Sequence, residues 1–334
     1  MFNLPCNFMQ MKPFSRLFLC MTGMLLTANI SMSAQKNLKS VESMTERLWN
    51  ETSCKDFSDT RMELMTDLQY YFDRCDNFGK YVACTDSAES KSMEANSILG
   101  FYSEALNRLL REIPSEKVSY GNIAVWHLYN MGYVVKTPQH SFGIDICHKH
   151  GEKLAPYLDF LCITHPHGDH YTNALCDAMA AAGKPVYSNF IDNGHKIEDT
   201  AVVNPVGDIE IVAKRVHHSP NSKIVTTYQI DCGRATRNKV LFHAGDACDY
   251  TELEKTKEID LFIPHVTVGL RLNKAAKKLN PDYILMSHVL EMGHPAKYPG
   301  SGIYRIPYVE AIRKAQFMGR DGAIIPVWGE KMIF

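Results

Sequence analysis

Three imidazoles and a carboxylate fall within six residues, His165-Pro166-His167-Gly168-Asp169-His170, just after the apolar run Phe160-Leu161-Cys162-Ile163. The run reads as a buried strand, so the hexapeptide stands at a strand end. In extended backbone, residues two apart point the same way, which puts His165 and His167 side by side. Gly168 offers a sharp turn before Asp169 and His170. Two pairs of ligands result, one for a first metal and one for a second beside it. Ionisable groups gathered at a strand end are costly to bury unless a cation pairs with them. Imidazole and carboxylate donors suit zinc, with manganese and iron as alternatives.

This His-x-His-x-Asp-His pattern behind an apolar strand resembles the signature of the metallo-β-lactamase superfamily. The resemblance extends, more weakly, over about residues 120–334. It implies a four-layer αβ/βα sandwich with the metal site at one edge, between two β-sheets. It also implies three further ligands at strand ends: an isolated His, a bridging Asp and a last His.

For the isolated His, the alternating stretch Asp208-Ile209-Glu210-Ile211 leads into His217-His218-Ser219-Pro220. His218-Ser219-Pro220-Asn221-Ser222 is similar to the family's His-(Ser/Thr)-Pro-Gly-Ser form, so His218 is the expected ligand and His217 the alternative. His195 follows the turn signal Asp192-Asn193-Gly194 and reads as a surface loop residue. Lys239-Val240-Leu241-Phe242-His243-Ala244-Gly245-Asp246 reads as a buried strand ending in Gly-Asp. The resemblance makes Asp246 the bridging carboxylate, with Gly245 allowing close backbone approach. His243 lies on the Leu241 side of that strand and reads as packing. Pro281-Asp282-Tyr283-Ile284-Leu285-Met286-Ser287-His288 gives His288 as the last ligand, with His294 as the alternative. His265 ends another apolar run and reads as a loop or pocket-lining residue. Asp145, in Gly143-Ile144-Asp145-Ile146, matches the family's first-motif Asp, which orients the metal loop rather than binding metal.

The metal set implied is therefore His165, His167, Asp169, His170, His218, Asp246 and His288, with Asp169 and Asp246 as the catalytic carboxylates. The cofactor expected is two divalent ions, zinc first, with Mn2+ or Fe2+ as alternatives. The resemblance implies a dinuclear metal-dependent hydrolase working through a metal-bridging hydroxide on an ester, lactone, amide or phosphodiester bond. Two other readings compete. One is an inactive metal- or ligand-binding protein on the same fold. The other is a di-iron oxidoreductase, a branch that carries Glu where this chain has His167. Tyr171, Thr172, Glu291, Tyr304 and Arg305 are candidates to line the cleft.

Composition narrows the partners. Apolar residues make up 45% of the 334, charged residues 22%, and the net charge is -1, so no polyanion partner is implied and a nuclease is disfavoured. Lys12 and Arg16 precede the apolar stretch from Leu17 to Leu26, and small residues follow at Ser31-Met32-Ser33-Ala34. That is the layout of a secretory leader cleaved near Ser33 or Ala34, with a retained membrane anchor as the alternative. The expected organisation is a leader over residues 1–34, a helical extension over 35–117 and the hydrolase domain over 118–334. Export to the periplasm or outside favours a small-molecule or lipid substrate, with no stable membrane span after cleavage; an oligomer is left open.

Eight of the ten cysteines follow the leader. Cys75 and Cys84 are the pair expected to bridge, and Cys162 reads as a small apolar core residue. In the extension, Ser43-x-x-Glu46 looks like a capping box. The stripes Leu64, Leu68, Phe72 and Ile98, Tyr102, Leu106, Leu109, Ile113 predict two or three helices before Pro114.

Overall fold

Alternation along single strands assigns neighbouring residues to different cores. In β1 (Ala124–His127), Val125 faces one apolar cluster, and Ala124 and Trp126 face another. In β9 (Val240–His243), Leu241 joins the cluster of Val125, while Val240 and Phe242 join a third. Side chains two apart share a face, so the Val125–Leu241 cluster is the interior between two sheets and the other two clusters cover their outer faces. The computed structural model that shows this describes residues 40–267, 269–293, 306–318 and 322–334. The expected leader over 1–34 and the candidates His294, Tyr304 and Arg305 lie outside the described residues.

The first sheet has the order β13-β1-β2-β3-β4-β5. Its other strands are β2 (Tyr133–Lys136), β3 (Ser141–Ile144), β4 (Phe160–Cys162), β5 (Val186–Tyr187) and β13 (Lys331–Ile333). The second has the order β12-β11-β10-β9-β8-β7-β6. It contains β6 (Thr200–Val203), β7 (Glu210–Val216), β8 (Val225–Asp231), β10 (Leu261–Ile263), β11 (Tyr283–Leu285) and β12 (Ala323–Ile324). Leu106, Leu109, Leu175 and Met179 cover the outer face of the first sheet, from helices Ile98–Glu112 and Asn173–Ala181. Ala275, Leu279, Ala311 and Ile312 cover the second, from helices Leu272–Leu279 and Tyr308–Met318. Helix, sheet, sheet, helix is the four-layer sandwich the hexapeptide implied. No helix among the described residues is long and apolar enough to cross a membrane.

Five helices are described before β1: α1 (Val41–Glu51), α2 (Asp59–Phe72), α3 (Phe78–Ala83), α4 (Ser87–Glu94) and α5 (Ile98–Glu112). The stripes predict two or three; the others include α3 and α4, which are too short to show a period. The cap of α1 is Ser40, whose hydroxyl accepts from the Ser43 N–H at 3.2 Å, so the expected capping box at Ser43 is displaced by three residues. The helices share a core with the second sheet through Met44, Leu48, Leu64, Leu68 and Phe72. The Trp49 indole donates to the Trp328 carbonyl at 2.8 Å, and Phe101 stacks on Trp328 at 5.0 Å.

The expected Cys75–Cys84 bridge is absent: all eight cysteines of the described residues are thiols. Cys75 is buried in the core below α3, and Cys84 lies past its far end beside Asp86 and Glu89. The intervening helix keeps them apart. Cys162 is wholly buried between the sheets, as expected.

Candidate metal centre

Strand polarity gathers the site. β3 and β4 are parallel, as are β9, β10 and β11, and β7 reaches the same sense through two antiparallel pairings. The residues just past their ends are Asp145, the hexapeptide, His218, Asp246, His265 and His288. All lie on one edge of the sandwich.

Two groups of ligand atoms result. His165, His167, His218 and Asp246 offer one set, and Asp169, His170 and His288 another, the atoms of each lying within 4.8 Å of one another. Asp246 links the sets: Oδ2 is 3.7 Å from His165 Nε2 and 3.6 Å from His218 Nε2, while Oδ1 is 3.2 Å from His170 Nε2. Asp169 Oδ2 stands 3.1 Å from His288 Nε2 and 3.6 Å from His170 Nε2. His217 points elsewhere. Its Nδ1 meets Glu252 Oε1 at 2.8 Å, and its backbone N–H donates to Glu252 Oε2. His195 is exposed, as expected, and rests on Tyr187. His243 packs between the sheets, donating from Nε2 to the Met131 carbonyl at 3.0 Å.

The surroundings fix the ring tautomers. Asp145 accepts from the Thr164 N–H and hydroxyl, both at 2.7 Å, and from His170 Nδ1 at 2.8 Å. With its hydroxyl proton committed to Asp145, Thr164 Oγ1 accepts from His165 Nδ1 at 3.0 Å. His165 and His170 therefore both turn an Nε2 lone pair inward. Asn130, in the β1–β2 turn, donates from Nδ2 to Asp169 Oδ2 at 2.9 Å and to the Asp169 carbonyl at 3.1 Å. Its own carbonyl accepts the His288 N–H at 3.2 Å. Asn130, Asp145 and His288 have φ of +58°, +48° and +62°, a cluster of left-handed backbone at the site. Gly245 shares that conformation at +50°, and a Cβ there would stand 2.8 Å from Thr164 Cβ, so only glycine lets β9 approach this closely. Gly168 carries no such demand. The turn closed by the His170 N–H on the His167 carbonyl leaves open space where its Cβ would be, so the expected special role of glycine there does not hold.

His265, expected as a loop or pocket-lining residue, forms a third close group with Asp246 and His288. The Thr267 N–H donates to His265 Nδ1 at 2.9 Å, which leaves the ring proton on Nε2, the atom 3.9 Å from Asp246 Oδ2. His265 thus turns Nε2 toward the cluster, and with Asp246 and His288 it makes a further candidate ligand group. Its ring stacks on His288 at 3.8 Å and holds it in place.

Charge balance calls for a cation. Burial lowers the pKa of His165, and the neighbouring His170 adds to this. Burial alone would raise Asp169 and Asp246, but the charge of His170 outweighs it and holds both carboxyls below the usual range. Burial would lower His170, yet Asp246, Asp169 and Asp145 together push it well above the ordinary imidazole value. Without an ion, His170 therefore takes a second proton on Nε2, the position that its bond to Asp145 leaves for a metal, so a bound cation would replace that proton where these groups converge. His170 Nε2 and Asp246 Oδ1 are buried and make no hydrogen bond among the described residues, and His165 Nε2 and His167 Nδ1 meet at 3.0 Å. Orphaned buried atoms and crowded lone pairs fit a divalent ion among these donors.

Beside the cluster lies a cavity of about 420 Å3. Phe78, Val82, Tyr129, Cys147, Asp169 and Glu291 line it together with the turn from Pro166 to Gly168. A larger cavity, about 540 Å3, lies among the N-terminal helices and touches none of the cluster. Of the expected cleft residues, Glu291 lines the cavity, whereas Thr172 spends its hydroxyl capping the helix Asn173–Ala181 and Tyr171 packs on Phe190.

The described residues form the four-layer αβ/βα sandwich that the resemblance to the metallo-β-lactamase superfamily implied. Solved structures similar to it include a novel metallo hydrolase from the hyperthermophilic archaeon Ignicoccus hospitalis, at 17% identity over 64% of this chain and 98% of that one, TM-score 0.49. A Thermotoga maritima protein described as of the metallo-β-lactamase superfamily matches at 13% identity over 57% and 85%, TM-score 0.37. CmlA, a diiron β-hydroxylase from Streptomyces venezuelae, matches at 12% identity over 66% and 55%, TM-score 0.47. No protein-family model matches the sequence, and no curated protein matches it.

Proposed function

We propose that this protein is an exported dinuclear metal-dependent hydrolase acting on an ester, lactone, amide or phosphodiester bond of a small molecule or lipid. The observation that carries the reading is the pair of ligand groups joined through Asp246, with five inward imidazoles and two carboxylates. His165, His167 and His218 would hold one ion and Asp169, His170 and His288 the other, with Asp246 between them. A donor set of five imidazoles and two carboxylates suits zinc, with manganese or iron next. When bound, such a pair of ions supplies Lewis-acid polarisation and lowers the pKa of water it binds.

The chain's own residues do the rest. Asp145 and Thr164 hold the His165 and His170 rings in one tautomer. Asn130 fixes Asp169, which stays ionised at the cavity wall, where its carboxylate would orient a nucleophilic water by accepting a hydrogen bond from it. His265 keeps His288 turned toward Asp169. Export rests on the basic, apolar and small-residue succession over residues 12–34, and N-terminal sequencing of the mature protein tests it.

Metal analysis of the purified protein, with a panel of ester, lactone, amide, β-lactam and phosphodiester substrates, tests the whole. Two equivalents of metal with turnover of one class are expected, and Asp246→Ala should abolish turnover and release at least one ion. Iron with oxygen consumption would move the protein to the di-iron class. Two metals without turnover of any substrate would make it a binding protein.

A further inference from the structure

Helix α3 is six residues long, yet it borders the cluster. Phe78 and Val82 stand four apart and so share one side of it. Both line the 420 Å3 cavity with Tyr129 and Pro166, and His167 and Asp169 line the same cavity. Val82 is 43% exposed, a β-branched apolar side chain left open beside candidate metal ligands. The wall is fixed. Phe78 meets Tyr102 edge-on at 5.3 Å and Tyr129 at 5.6 Å. Lys149 Nζ donates to the Tyr81 carbonyl at 2.6 Å and lies 4.2 Å from the Tyr81 ring centre. Lys149 belongs to the loop that begins at Asp145, so α3 is tied to the same segment that orders His170. Apolar surface held rigidly open in a concave site is what an apolar ligand group covers.

We propose that α3 builds a subsite for an uncharged alkyl or aryl arm of the substrate, seated against Val82, Phe78 and Tyr129. The inference rests on the hydrolase reading above. It gives the helical extension a role in selecting substrate. Among the described residues no lysine or arginine lines the cavity, which favours an uncharged arm over a phosphorylated one.

The test is calorimetric titration of the metal-loaded full-length protein with acetohydroxamate, butanohydroxamate, hexanohydroxamate and octanohydroxamate, with metal content measured on the same samples. Affinity should rise about fourfold per added methylene until the cavity is filled. In Val82→Asn the gain per methylene should shrink while acetohydroxamate affinity and metal content hold. Val202→Asn, at a 62% exposed position on β6, should keep the wild-type gain. An unchanged gain in Val82→Asn, or no dependence on chain length in wild type with both metals present, overturns the subsite and leaves the hydrolase reading standing. Protein that takes up no metal overturns the hydrolase reading and the subsite with it.

Discussion

Asp145 Oδ2 and His170 Nδ1 stand 2.8 Å apart, both wholly buried, and this bond decides which nitrogen of His170 faces Asp246. Replacing Asp145 by Asn keeps the shape and tolerates the left-handed backbone, but it can present an N–H to Nδ1. His170 would then carry its proton on Nε2, with no lone pair for a metal. Asp145→Asn should weaken metal binding about 10- to 100-fold while circular dichroism stays native. A competition titration against a chelator reads the change, and unaltered affinity would refute the orienting role.

His217 and His218 are adjacent yet face opposite ways, one to Glu252 and the other to Asp246. His218→Ala should lose one equivalent of metal. His217→Ala should keep both and cost about 1 kcal/mol through the lost Glu252 contact, which is partly exposed. Metal analysis and urea unfolding of the two variants decide it. Loss of metal from His217→Ala alone would reverse the assignment.

Sequence resolved the parts of this site where chemistry is dense over a few residues. The hexapeptide, Gly-Asp at 245–246 and the His after the 283–285 strand could all be read because each combines an apolar strand with a ligand type. Between His217 and His218 only the family resemblance favoured His218, since a strand end does not reveal which side chain turns inward until Glu252 takes one of them. Asn130 and Thr164 carry no pattern, and His265 ends an apolar run just as the expected ligands do, so its sequence does not set its role apart. They matter through bonds such as Asn130 to Asp169, 39 residues away. Short α3 and α4 escaped for want of a period, and β13 escaped because its partner β1 lies far earlier in the chain: Trp126 pairs with Lys331.

Glu330 had no role in sequence, because its partner Arg61 is 269 residues away. Arg61 reaches both its oxygens, at 2.9 and 2.7 Å, and also the Thr52 hydroxyl and Ile325 carbonyl, both at 3.0 Å. The pair is almost wholly buried and joins α2 to the segment before β13. Arg61→Ala leaves a buried carboxylate alone and should cost about 3–5 kcal/mol. The double variant Arg61→Met, Glu330→Leu should cost much less, because neither charge is then stranded. Urea unfolding of the single and double variants measures the coupling. Equal losses would mean that the ion pair is not the origin of the effect.

His127 gives the fold an acid limit of its own. Burial is the largest influence on it and outweighs the carbonyl of Asn130, which accepts from Nε2 at 3.1 Å, so the pKa falls to about 4. The unfolded chain titrates this group near 6.5. Above that value both states are neutral and no stability is at stake. Between about 6.5 and about 4 the unfolded chain takes up a proton that the folded chain refuses, so stability falls as pH falls. The loss approaches about 3 kcal/mol and levels off once the folded imidazole also protonates. His127→Gln removes the titration. Its unfolding free energy, compared with that of wild type at matched metal occupancy, should therefore fall less steeply across this window. Parallel curves for the two proteins would show that His127 is protonated in the fold or already neutral outside it.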